Sequence, residues 1–140
     1  MSTVLEHHLP QLCGRTYSLT SPKSKGYNCI AWAAGDNGRW WWPSPVGYWP
    51  VGNVAETIEA FVEAFGTLGY QPCTSASLEL GYDKVALYAD GSRPTHMARQ
   101  LPDGRWTSKC GRLEDITHSL ADLEGGSYGT VTLMMRRTRA

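Results

Sequence analysis

The sequence predicts an α+β fold in which helices near the N-terminus pack on a mostly antiparallel sheet. Three observations carry this. Helical spacing is confined mainly to the first half, the second half turns to β-rich runs closed by turn pairs, and strands and helices do not alternate. The 140 residues read as a single domain, 1–140, large enough to bury a core without disulfides or metal.

Taken in order, residues 1–26 read as an irregular polar segment with turn signals at Cys13-Gly14 and Ser21-Pro22. A short helix is predicted at about 28–35, stopped by Gly35 and the Asp36-Asn37-Gly38 turn. Trp40, Trp41, Trp42 and Trp49 then cluster in a stretch whose prolines and glycine forbid a regular element. A second helix is predicted from Asn53, a cap with Glu56 at the capping-box position. Val54, Ile58, Phe61, Val62, Phe65 and Leu68 give it an apolar face, and Gly66 with Gly69 marks its end.

Strands follow. Residues 84–89 are β-rich and close on Asp90-Gly91. Two more strands, 95–101 and 105–109, flank Pro102-Asp103-Gly104, which suits a three-residue hairpin loop with glycine in the left-handed position. Leu113, Ile116, Leu120 and Leu123 make a helical stripe, with Glu114 and Asp115 in its first turn. Residues 128–135 read as the last strand.

Composition excludes several classes. Thirteen basic and thirteen acidic side chains cancel, so no overall field attracts nucleic acid or anionic lipid. No apolar run approaches a membrane span, and the first residues lack the basic and apolar regions of a secretory signal. A cytosolic protein is expected, or one exported by a signal-independent route. Cys13, Cys29, Cys73 and Cys110 show no C-x-x-C spacing and no His pair completes a zinc pattern, so free thiols and no metal or cofactor are expected.

The residues with chemistry are Cys29 and His96. Cys29 stands at a helix start, where backbone N–H groups favour a thiolate, and the alternative is a buried small apolar residue. His96 opens a strand. The three-residue loop pairs Leu101 with Arg105 and sets His96, Ala98, Ser108 and Cys110 on one face, with Ser108 in reach of one imidazole nitrogen. A two-residue loop puts Thr107 and Lys109 there instead. The Cys29 N–H and the Asn28 amide are candidate oxyanion donors. Trp32, Trp41, Trp42 and Trp49 either cap the core or wall a cleft. His118 reads as the exposed side of the third helix, His7 and His8 as preceding any ordered pattern, and Cys110 as the rival nucleophile. Asp115 either caps that helix or orients His96, and Arg99 and Lys109 read as solvent-facing.

Asn28-Cys29-Ile30-Ala31-Trp32-Ala33, with an aromatic residue three positions after the cysteine, resembles the nucleophile helix of the papain-like cysteine hydrolases that include the NlpC/P60 and CHAP amidases. The resemblance implies Cys29 as nucleophile, His96 as base and Ser108 or a neighbour as orienter, acting on the amide bond of a peptide or protein substrate. Lys23 stands where papain has its oxyanion glutamine, and serine stands where the group has His, Asn, Asp or Gln. The chain also resembles an uncharacterised bacterial domain with Tyr-Asn-Cys, Trp-Trp-Pro and His-x-Ala-Arg-Gln…Asp-Gly-Arg-Trp-Thr-Ser-Lys motifs, over most of 26–135. A thiol-dependent hydrolase or acyl transferase is the leading expectation, in a group that includes toxin-like effectors. The alternative is a non-catalytic module that holds a peptide, glycan or protein partner with the tryptophan loop.

Overall fold

A computed structural model describes residues 3–15, 17–21, 26–36, 38–44, 47–110 and 115–139. Its centre is one seven-stranded sheet in which every ladder is antiparallel. The strands are β1 (Ser18–Ser21), β2 (Gln71–Cys73), β3 (Tyr82–Asp90), β4 (Arg93–Gln100), β5 (Trp106–Lys109), β6 (Asp115–His118) and β7 (Thr130–Thr138), in the order β1-β6-β5-β4-β3-β7-β2. Three short helices accompany them: α1 (Thr3–His8), α2 (Cys29–Ala34) and α3 (Ile58–Gly66). The fold is therefore mixed but mostly sheet.

Both faces of the sheet are covered, which explains why β3 is a continuous buried run from Lys84 to Ala89. On one face Val85, Leu87, Met97 and Met135 join Cys29, Ile30, Ala31 and Ala33 of α2 and Phe61 and Phe65 of α3. On the other, Ala86, Tyr88, Ala98, Trp106 and Ile116 join Leu5, Leu9, Leu12, Tyr17 and Leu123. The period of two along β4 assigns its residues to these layers: Met97 and Arg99 to the α2 side, His96 and Ala98 to the other.

The β4–β5 hairpin has the register of a three-residue loop. Leu101 N–H donates to Arg105 O at 2.7 Å, Gly104 has φ +91°, and Arg99 and Gln100 pair with Thr107 and Trp106. Backbone pairing between the two strands stops at Arg99–Thr107.

Four expectations need correction. Residues 1–26 are not wholly irregular, since α1, a 3₁₀ turn at Pro10–Leu12 and β1 lie within them; His7 and His8 belong to α1. The second helix starts at Ile58 rather than beside Asn53: Asn53 Oδ1 accepts from Ala55 N–H in a local turn, and Thr57 caps α3 through Ala60 N–H at 3.2 Å. The strand β2, at a sheet edge, was not expected. The stripe at 113–123 is not a helix. Asp115-Ile116-Thr117-His118 forms β6, favoured by its two β-branched residues, and a separate 3₁₀ turn runs from Leu120 to Leu123. Ile116 and Leu123 still reach the core, so the apolar spacing was real while its period was misread. Leu113 and Glu114 lie outside the described residues, as does Lys23.

The tryptophan loop packs on the helices. Trp41 is buried against Phe65, and Trp42 and Trp49 meet Phe61 edge-on at centroid distances of 5.8 and 4.9 Å. Among the described residues no helix is long and apolar enough to cross a membrane.

Candidate active site

Asn28 sets the geometry of the Cys29 turn. As N-cap of α2 its Oδ1 accepts from Ala31 N–H and Trp41 N–H at 3.0 and 3.1 Å, while its Nδ2 donates to Trp41 O at 2.6 Å. The amide expected to serve an oxyanion is thus spent clamping the tryptophan loop to the helix. Trp32, one turn on, donates from Nε1 to Thr107 Oγ1 at 3.1 Å and stacks on Tyr27.

The Cys29 thiol is buried, with the backbone N–H groups of Met97, of Ile30 and of Cys29 itself near enough to favour its charged form. Met97 is four residues before Leu101, so its N–H faces the β5 side, as does that of Leu101. Met97 lies past the last residue paired with β5, and α2 lies beside β4 and β5. Burial pushes this thiol up to about 11, against the lowering effect of those N–H groups and of the Lys109 charge.

His96 leaves β4 on the opposite face from Met97, among Tyr88 and Tyr128, and Tyr128 stacks over its ring at 4.2 Å. Its Nε2 lies 2.9 Å from Ser108 Oγ, and Ser108 Oγ lies 2.7 Å from His118 Nε2. His118 Nδ1 lies 2.6 Å from Ser119 O. All three side chains are fully buried.

One proton arrangement satisfies this chain. A carbonyl only accepts, so His118 Nδ1 carries a proton and donates to Ser119 O. Burial holds His118 at about 4, so near neutral pH its Nε2 is a bare acceptor for the Ser108 hydroxyl proton. Ser108 has no second proton, so His96 Nε2–H donates to it. Burial, aided by His118, pushes His96 well below its ordinary value, so its Nδ1 is left with a bare lone pair. Among the described residues that Nδ1 has no hydrogen-bond partner.

The structure thus brings His96 and Ser108 together and seats Cys29 against the peptide next to His96, while the thiol and imidazole enter different apolar layers. Cys110 is buried in the His96 layer, and no two of the four cysteines are bridged. Asp115 faces the α2 side, where its Oδ2 accepts from Tyr27 at 2.8 Å, and Lys109 is buried over the Tyr27 ring. Neither is a helix cap or a solvent-facing charge. His118 is the residue that sequence reasoning missed. Reading Asp115-Ile116-Thr117-His118 at period two puts Ile116 and His118 on one face, which was the available signal.

An antiparallel α+β sheet protein with a buried imidazole–hydroxyl–imidazole chain is the class that fold and site define. Residues 18–136 match the family described as Domain of unknown function (DUF7689), and the chain belongs to that family. No curated protein and no solved structure matches the chain.

Proposed function

We propose that this domain is a thiol-dependent amide hydrolase or acyl transferase on a papain-like scaffold, with His96 as base, Ser108 as its orienter and Cys29 as nucleophile. The single observation that supports it is the proton chain, which leaves His96 Nδ1 unprotonated and, among the described residues, unpartnered at full burial. An orphaned buried acceptor costs about 1–3 kcal/mol, a cost retained most readily where the atom has chemical work. On this reading His96 Nδ1 takes the Cys29 thiol proton and the sulfur attacks the amide carbonyl carbon. The C–N bond then breaks as that proton passes to the leaving amine, and water or a second amine resolves the thioester. The thiol has to leave the Met97 layer for His96, so the seam beyond Arg99–Thr107 must open when substrate binds.

The second reading, a non-catalytic binding module, is favoured by the burial of the thiol and by the separation of Cys29 and His96 into two layers. Alkylation separates the two. With a peptidyl chloromethyl ketone, which enters as a substrate does, and mass-spectrometric readout, Cys29 is expected to be alkylated and His96→Ala to slow this about 100-fold, while iodoacetamide reaches the exposed Cys13 before the buried Cys29. Cys29 left unmodified by the ketone, or modified at a rate indifferent to His96→Ala, leaves only the binding module.

A further inference from the structure

We propose a second site, a pocket for the dianion of a phosphate monoester, at the end of the sheet next to the β4–β5 loop. It goes beyond the thiol chemistry and does not depend on it. A cavity of 470 Å³ opens here, lined by Tyr70, Asp83, Leu101 and Pro102 together with three arginines, Arg99, Arg137 and Arg139. That volume falls in the range of small-molecule sites.

The charges around it do not balance internally. Asp83 is the one carboxylate in the lining, and both its oxygens are taken: Oδ2 accepts from Arg137 Nε at 3.2 Å and Oδ1 from Arg139 Nε at 2.9 Å. Three guanidiniums against one carboxylate leave two positive charges, which a phosphate monoester near −2 matches and a single carboxylate does not.

The cations are also held in place before any ligand arrives. Arg137 is fixed by Asp83, by Leu68 O at 3.2 Å and by the Tyr70 ring beneath it. Arg139 is fixed by Asp83 and by Tyr82 O at 3.1 Å. Arg99 lies over the Trp32 ring at 4.9 Å, half-buried, and among the described residues its guanidinium makes no hydrogen bond or ion pair. A guanidinium stacked on an aromatic face keeps its N–H fork for a planar or tetrahedral oxyanion. Leu101, Pro102 and Tyr70 give the cavity an apolar side, so the phosphate is expected to be carried on an organic body rather than free.

The test uses the full chain, phenyl phosphate as probe, and calorimetry or amide-shift titration at low salt. Saturable binding is expected, weaker for inorganic phosphate and at least about tenfold weaker for benzoate. Arg99→Ala, whose native contact is one ring face, should keep the fold and weaken phenyl phosphate at least about tenfold, with Arg99→Lys between. Arg139→Ala is the second variant and should weaken binding likewise. Affinity should fall below about pH 6 as the dianion takes a proton while the arginines stay charged. A short phosphotyrosine peptide distinguishes the two sources: tighter binding than phenyl phosphate identifies a phosphorylated protein, and equal binding a phosphorylated small molecule. The proposal is overturned if phenyl phosphate does not saturate by ~10 mM, the weak limit of specific binding, if benzoate binds equally, or if Arg99→Ala is indistinguishable from the parent.

Discussion

Ser108→Ala is expected to lower the unfolding free energy by between about 2 and 6 kcal/mol. The hydroxyl links two buried imidazoles, accepting from His96 Nε2–H at 2.9 Å and donating to His118 Nε2 at 2.7 Å. Removing it strands one donor and one acceptor in an apolar layer, and each orphan costs about 1–3 kcal/mol. Urea unfolding reads the loss as a lower midpoint at unchanged slope. Nitrogen-detected NMR should also show that His96 no longer holds the Nε2–H tautomer. A loss below about 0.5 kcal/mol, the scale of a neutral surface change, would show that the chain is not formed as described.

Acid should destabilise the domain early, well above the range in which carboxylates titrate. His118 is held at about 4 by burial, against an ordinary value near 6.5, and His96 is displaced in the same direction. Unfolded chains take up these protons as pH falls below about 6.5, whereas the folded state refuses them until its own lowered values are reached. Stability is therefore whole above pH 6.5, declines as pH drops below it, and levels off only beneath the folded values. For His118 alone the span from 6.5 to 4 corresponds to about 3 kcal/mol, and His96 adds to it. Unfolding free energies measured every half unit from pH 7.5 to 4 should steepen towards two protons between 6 and 4.5, and His118→Gln should reduce that slope by about one proton. A flat profile over that interval would mean that both histidines take up protons in the folded state.

The local signals in the sequence were sound wherever the neighbouring residues decide the outcome. Pro102-Asp103-Gly104 fixed the hairpin register because turn chemistry is short-ranged, and that register is what brings Ser108 to His96. Asn28 and Gly35 bounded α2 for the same reason. Beyond that range the reading failed. Ile116, Leu120 and Leu123 fit a helix by spacing, and pairing with β1 on one side and β5 on the other, a tertiary fact, makes 115–118 a strand. Alternation could say that His96 and Met97 face opposite ways, but not which face α2 would choose. Sequence placed Cys29 and His96 on neighbouring elements; the layer each enters was set by packing of Ile30, Ala31 and Ala33 on Val85, Leu87 and Met97.

The position of β7 has a kinetic consequence. It lies between β2 and β3, pairing Thr138 with Tyr82 and Arg136 with both Gln71 and Lys84. The two earlier strands follow each other in the chain yet share no ladder, because the last strand occupies the place between them. The β3–β4 hairpin has short loop closure and can form first, but its β3 edge then stays open until residues 130–138 have been made and docked. During synthesis that edge is a row of unpaired N–H and C=O groups on the most apolar strand of the domain, a template for wrong partners. Folding should accordingly be slow, end with β7 insertion, and be most exposed to aggregation just before it.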